Sequence, residues 1–369
     1  MSSAGKRVVI AGGGTGGHLF PGVALAEELH KLDPEIEVTF VGTKKGIEAR
    51  LIPTLGYPLE CMEVTALKGG GVGGLFKGAM KLPGSGLAAR RMVRRLDPSL
   101  VVAVGGYASG PFTMSAALMG VPTVLLEQNS VPGMTNKWLG KVVKEAFLTY
   151  DCSAWAFPAG KVNVVGNPLR LELLERARAF QYSAPAPGEQ LKILVLGGSG
   201  GSLALNRDVP GALCALSDEQ QARIKVIHQV GKQSGEIAEE AYKAFKGDAE
   251  VVGFIDDMSS AYEGTHVMVC RAGATTIAEV LGFGLPAIYI PFSGAADDHQ
   301  TINALQVVEG GGGMMVKEGD VPTGKLTRII EGLLGNPESL ENMSRGAREL
   351  GRLGAGEEIA RRCEALMKR

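Results

Sequence analysis

Two short β-branched runs in this chain end in glycine loops, and the pattern repeats at an offset of 184 residues. Val9-Ile10-Ala11-Gly12 leads into Gly13-Gly14-Thr15-Gly16-Gly17-His18, and Leu194-Val195-Leu196 leads into Gly197-Gly198-Ser199-Gly200-Gly201-Ser202. Four of the six aligned loop positions are glycine in both. A strand that runs into a glycine turn ahead of a helix lets backbone N–H groups face an anion. Two such openings predict two doubly wound α/β domains, each with an anion site, across one cleft.

The rest of the chain fits this frame. Candidate strands Arg7–Ala11, Glu37–Gly42, Leu100–Val104, Thr123–Glu127 and Glu145–Thr149 alternate with helical patterns such as Pro21–Leu32 and Gly86–Leu96. A second series comprises Lys192–Leu196, Lys225–Gln229, Val251–Phe254, Val267–Cys270 and Ala287–Pro291, with helices over Thr275–Phe283 and Gln300–Glu309. Such alternation predicts parallel sheets covered on both faces. The boundary is expected near Val164–Pro168, which gives domains over residues 1–165 and 166–353 and a terminal segment over 354–369. Ser99 to Leu126 carries no charge, but its Gly-Pro interruptions predict strand, loop, buried helix and strand, not a membrane span.

Composition narrows the class. The chain has 53 glycines among 369 residues, about twice ordinary usage. No Gly-X-Y period exists, and 45% apolar content with net charge -1 excludes a disordered chain. The five dispersed cysteines argue against a disulfide framework or zinc site and for a reduced compartment. The start reads directly into a strand, so no signal peptide is expected. Charge is split, +5 over residues 1–165 and -6 over the remainder. Ala66 to Leu96 holds seven cations and no acid. There Leu75, Phe76, Met80 and Leu82 are interleaved with Lys77 and Lys81, a pattern suited to shallow insertion at an anionic bilayer or to a solvated loop. With one aromatic to stack on bases, a nucleic-acid surface is disfavoured.

Several residues carry candidate chemistry. His18, expected just ahead of the helix at Pro21, is either a general base or a capping histidine. Gly105-Gly106-Tyr107-Ala108-Ser109-Gly110-Pro111 forms a second glycine loop on the same sheet edge, which suits a diphosphate. Glu127-Gln128-Asn129 ends a further strand, and these amides either bind sugar hydroxyls or cap the next helix. Ser199 and Arg170 are candidate phosphate ligands, and Glu279 is either a ribose ligand or a solvated carboxylate. Asp297-Asp298-His299 reads as a helix cap before it reads as a metal site, and Gln300 and Asn303 share one helical face. Gly310–Gly313 has no assigned role. The Gly12-x-Gly14-x-x-Gly17 spacing alone also permits a dinucleotide-dependent oxidoreductase, and the basic segment a membrane-docking subunit.

Taken in order, these motifs resemble the MurG family of peptidoglycan N-acetylglucosaminyltransferases over nearly the whole chain. The resemblance rests on Gly13-Gly14-Thr15-Gly16-Gly17-His18-x-x-Pro21, Gly105-Gly106-Tyr107-x-Ser109-Gly110-Pro111, Glu127-Gln128-Asn129 and Pro132-Gly133-x-Thr135-Asn136. It continues through Gly166-Asn167-Pro168-x-Arg170, Gly197-Gly198-Ser199, Phe254-Ile255-Asp256-Asp257-Met258, Arg271-x-Gly273-Ala274 and Gln300-x-x-Asn303-Ala304. It implies a GT-B fold, with an acceptor domain and a donor domain, and inverting transfer from UDP-N-acetylglucosamine to the lipid-linked muramyl sugar of lipid I. A transferase acting on diacylglycerol is the nearest alternative.

By matching positions, the resemblance implies His18 as the base. Ile255 meets the uracil, Glu279 the ribose, Ser199 and Arg170 the diphosphate, and His299, Gln300 and Asn303 the donor sugar. Thr15, Gly16, Gly17 and Asn129 complete the donor set. Gly14, Gly105, Gly106, Tyr107, Ser109 and Asn136 form the acceptor set. Leu75, Phe76, Lys77, Met80, Lys81 and Leu82 match the family's membrane-association region. The expected setting is the cytoplasmic face of the bacterial inner membrane, held peripherally, beside other cell-wall synthesis proteins. No cofactor is expected, no metal ligand set is assigned, and dependence on a divalent cation is left open. Gly200 departs from the glutamine that the family often carries there.

Overall fold

The computed structural model describes residues 6–63, 86–106, 108–198, 200–231 and 235–368. Tyr107, Ser199 and the membrane set Leu75, Phe76, Lys77, Met80, Lys81 and Leu82 lie outside the described residues. The chain divides into two compact units, Met1–Leu171 with Gly354–Arg369, and Glu172–Leu353.

The first unit is built on a seven-stranded sheet in the order β3-β2-β1-β4-β5-β6-β7. Its strands are β1 Arg7–Gly12, β2 Glu37–Gly42, β3 Leu59–Cys61, β4 Leu100–Gly105, β5 Thr123–Glu127, β6 Glu145–Leu148 and β7 Val162–Val164. All neighbours pair in parallel. Alternate residues of one strand face opposite layers. Val8, Ile10 and Phe40 pack with Leu19, Val23 and Leu29 of the helix Gly16–Leu32. Val9, Ala11 and Val101 pack with Phe112 and Ala116 of the helix Ser109–Leu118. Each such fully buried side chain contributes about 1.5–3 kcal/mol. The last helix, Ala355–Met367, adds Ile359 and Cys363, one turn apart, to the first of these layers.

The second unit has six parallel strands in the order β10-β9-β8-β11-β12-β13. They are β8 Leu191–Leu196, β9 Ile224–Gln229, β10 Asp248–Val252, β11 Val267–Cys270, β12 Ala287–Tyr289 and β13 Gly313–Met315. In both units the chain winds outward from the first strand, then crosses to its other side. The reversal falls between β1 and β4 in one unit and between β8 and β11 in the other. Ligands of such sheets bind at the carboxyl ends of the strands flanking that point.

The structure departs from the sequence reading in several places. Strand β10 ends at Val252, so Phe254 and Ile255 lie beyond it in a loop. This edge strand is exposed and charged at its start, and hydrophobicity alone misplaced it. The three-residue strands β3, β7 and β13 escaped notice because they are too short for a periodic signal. Gly310–Gly313, unassigned above, lies against the helix Pro337–Leu350, where a Cβ on Gly312 would come within 2.9 Å of Ala347 Cα. The first helix starts at Gly16 and not at Pro21, with backbone bonding that begins at the Thr15 carbonyl. His18 therefore sits inside the first helical turn.

Candidate active site

In the first unit the two glycine loops meet backbone to backbone. Gly12 has φ +146°, and a Cβ there would stand 2.2 Å from the Gly105 carbonyl oxygen. The Gly13 N–H donates to that same oxygen at 3.1 Å. Only glycine permits this approach. The loops leaving β1 and β4 thus form one surface at the reversal point.

A carboxylate that the sequence reading missed underpins this surface. Glu48, buried at the start of the helix Glu48–Thr54, accepts the Gly14 N–H at 2.7 Å through Oε2. Its Oε1 accepts the Thr43 N–H at 2.8 Å and the Thr43 hydroxyl at 2.9 Å. The Gly14 N–H is thus already taken by an internal carboxylate, while the residue itself is exposed. Thr15, Gly16 and Gly17 lie at the outer end of the loop and in the first helical turn, where the positive end of the helix dipole favours negative charge.

His18 stands over the ends of β4 and β5. Its Nδ1 lies 3.3 Å from Oε1 of Gln128. Gln128 is buried, and its Nε2 donates to the Val104 carbonyl at 3.2 Å. A Cβ on Gly105 would come 2.8 Å from His18 Nδ1, so Gly105 leaves room for the imidazole.

The amides after β5 divide into loop and foundation. Glu127 is buried and accepts the N–H groups of Asn129 at 3.0 Å and Gly133 at 3.1 Å, and the Asn136 side-chain amide at 2.9 Å. Burial pushes its carboxyl above the usual range, and those hydrogen bonds oppose the shift. Asn129 is half-buried in the loop so formed. Asn136, expected on the acceptor, lies beneath the site, its amide also bonded to the Leu126 carbonyl at 3.2 Å. Ser109 is likewise corrected, because its side chain is fully buried at the start of its helix. The next helix, Met134–Leu139, is capped by Gly133 without a side-chain bond, so the amides are not its cap.

Arg170 belongs to the first unit. Its guanidinium lies over the Phe20 ring at 5.1 Å, and Phe20 is two residues past His18. Sequence spacing carried no signal for this pairing.

In the second unit, Ser202 caps the helix Leu203–Cys214 by accepting the Leu205 N–H, and also accepts the Arg271 guanidinium at 2.6 Å. Arg271 is buried, donates to the carbonyls of Ile290 and Pro291, and pairs with Glu318. It thereby ties the ends of β8, β11 and β12 together. Glu279, on the helix Ala274–Phe283, accepts the Tyr262 hydroxyl at 2.6 Å, so it is an oriented carboxylate and not a freely solvated one. Ile255 packs at the margin of the core beside exposed Phe254. Asp257 caps the next helix, and hydrogen bonds from the Ser260 hydroxyl, the Ser260 N–H and the Ser259 hydroxyl hold its carboxyl down to about 2.

The segment from Asp297 to Asn303 also differs from expectation. Asp297 and Asp298 adopt left-handed backbone at φ 53° and 52°, and no side-chain cap bond forms at Asp298. Asp298 accepts the Thr301 hydroxyl instead. His299 is half-buried, with Nδ1 2.7 Å from the Ala296 carbonyl oxygen. Gln300 accepts the Phe292 N–H at 2.9 Å. Asn303 is buried and donates to the Ala272 carbonyl at 3.2 Å, which places it below the loop and not on its surface. Among the described residues, no group of three or more His, Cys, Asp or Glu side chains could hold a metal ion.

One surface feature escaped the sequence reading. Met134, Trp138 and Trp155 of the first unit are exposed, with the Lys137 ammonium 4.8 Å over the Trp155 ring and that of Lys141 5.7 Å over Trp138. No helix among the described residues is long and apolar enough to cross a membrane.

Comparison with known proteins agrees with this architecture. Residues 8–148 match the glycosyltransferase family 28 N-terminal domain, and residues 192–358 the family 28 C-terminal domain. The fold and site thus define a family 28 glycosyltransferase of GT-B architecture. Over 98% of its length the chain is 45% identical to the UDP-N-acetylglucosamine--N-acetylmuramyl-(pentapeptide) pyrophosphoryl-undecaprenol N-acetylglucosamine transferase of Anaeromyxobacter dehalogenans (strain 2CP-1), covering 94% of that protein. It is 44% identical to the enzyme of the same name from Myxococcus xanthus, with 98% and 93% covered. The crystal structure of Acinetobacter baumannii MurG superposes with a TM-score of 0.79 at 28% identity, over 98% of this chain and 99% of that one. The chain belongs to the MurG family.

Proposed function

We propose that this enzyme moves N-acetylglucosamine from UDP-N-acetylglucosamine to the C4 hydroxyl of the muramyl sugar of lipid I, which yields lipid II for peptidoglycan. The observation that carries the reading is His18 in the first helical turn, held through Nδ1 by Gln128 beside two interlocked glycine loops. The full-length relatives bear the name of this reaction. The first unit, roughly residues 1–165 with the segment 354–369, takes the acceptor. Its diphosphate lies along Gly105 and Gly106, and Thr15, Gly16, Gly17 and Asn129 meet the donor from this side. The second unit, residues 166–353 in the main, takes the donor.

The reaction is a single displacement with inversion. The C4 oxygen of the acceptor bonds to C1 of the donor sugar as the C1–O bond to the diphosphate breaks. His18 Nε2 takes the hydroxyl proton, and UDP leaves with the bonding electrons. Arg170 and the helix start after Ser199 offset the charge on the departing diphosphate. Oriented Glu279 holds the ribose, and Ile255 meets the uracil. His299 and Gln300 face the donor sugar, and Asn303 and Asn136 hold the loops that carry those contacts.

The enzyme works at the cytoplasmic face of the membrane as a peripheral protein. Exposed Trp138 and Trp155, each under a lysine, support this, since such residues favour the lipid headgroup region. The sequence of the cationic segment with Phe76 and Lys77, apolar residues among lysines, suits the same anionic membrane. UDP release from UDP-N-acetylglucosamine, with and without a soluble lipid I analogue, tests the reading. Release should require the acceptor, and His18→Ala should lower kcat by about 10²–10⁴-fold with the donor KM unchanged. Acceptor-independent release, or transfer to diacylglycerol in place of lipid I, would overturn it.

A further inference from the structure

We infer that Gln128 is a positioning residue that sets the tautomer of His18. The step begins with the buried amide itself. Gln128 Nε2 donates to the Val104 carbonyl at 3.2 Å, and this bond decides which end of the amide is which. The other end, Oε1, faces His18 Nδ1 at 3.3 Å. An amide oxygen only accepts, so Nδ1 must carry the hydrogen. A neutral imidazole has one N–H, and Nε2 therefore keeps its lone pair, the form a general base needs. The sheet builds this arrangement. Strand β5 pairs directly beside β4, so the residue after Glu127 reaches the last carbonyls of β4. Gly105 has no side chain to push the imidazole away. An amide in this place fixes the tautomer without adding a negative charge beside the ring.

The inference rests on His18 as the base, but its central measurement does not depend on turnover. The protein is labelled with ¹⁵N-histidine, and the His18 ring signals are assigned by their loss in His18→Ala. In the wild type they should show Nδ1–H and a bare Nε2. Gln128→Met keeps the length of the side chain but removes the strong acceptor. It should shift His18 towards the Nε2–H form and lower kcat by about 10–100-fold, short of the about 10⁴-fold loss of a catalytic histidine held wholly in the wrong tautomer. The donor KM should stay unchanged. Gln128→Glu restores an acceptor and should restore the Nδ1–H form. Should Gln128→Met fail to fold, Gln128→Asn withdraws the amide by one methylene and should produce the same shift. An unchanged His18 tautomer in the folded Met or Asn variant overturns the proposal. Normal turnover in His18→Ala sinks the base assignment instead, and the tautomer result then stands by itself.

Discussion

The carboxylate of Glu48 offers the sharpest test of how the first glycine loop is held. Glu48→Gln preserves shape but replaces one acceptor oxygen with an NH₂ donor. In one amide orientation that donor faces the Gly14 N–H, and in the other it faces the Thr43 N–H and hydroxyl. Either way a part-buried N–H loses a charged acceptor. A hydrogen bond to a charged group contributes about 1.5–3 kcal/mol, and because Gly14 is exposed and Thr43 half-buried, water can take over part of that role. The substitution should therefore destabilise the first unit by about 1–3 kcal/mol. For a unit of this size that lowers Tm by roughly 2–12 °C. Differential scanning calorimetry of the full chain should show the first unit's transition moving down while the second unit's stays in place. A Tm within about 1 °C of wild type would refute the argument, because it would mean that Gly14 and Thr43 do not depend on this carboxylate.

Two further outcomes follow from particular contacts. Gly105→Ala places a methyl group 2.8 Å from His18 Nδ1 on a residue with φ +95°, so His18 must move. Steady-state assay should find kcat down by about 10–100-fold, in line with the cost of misplacing a reacting group by about 1 Å. Buried His228 is held down to about 4 from 6.5 by desolvation. Between those pH values the unfolded chain binds a proton that the folded protein refuses, so stability falls as pH drops through the window. The loss is at most about 3 kcal/mol, and His266, also held low by burial, adds in the same direction. Urea unfolding from pH 7.5 to 4 should show this slope in the second unit, and His228→Gln should flatten most of it.

Local sequence and the site were legible to different depths. Apolar runs ending in glycine mark β1, β4 and β8 without any knowledge of tertiary contacts, because a buried parallel strand must be apolar on both faces. The same logic missed β3, β7 and β13, whose three residues are strands only because a neighbour supplies the ladder. It also read Asp297 and Asp298 as caps, since their left-handed backbone is not written in residue type.

The sequence by itself determined the two-fold repeat of strand, glycine loop and helix, and with it the doubly wound architecture and the set of motifs shared with the MurG family. These depend on backbone conformation and periodicity, which nearest neighbours along the chain dictate. Only the tertiary structure decided which side chains serve which loop. Glu48 reaches Gly14 across 34 residues, and Gln128 reaches His18 across 110. Arg170 meets Phe20 only because the chain, after completing the first sheet, returns past the start of its first helix. Such partnerships arise from strand order, and strand order is a property of the packed sheet, not of any segment within it.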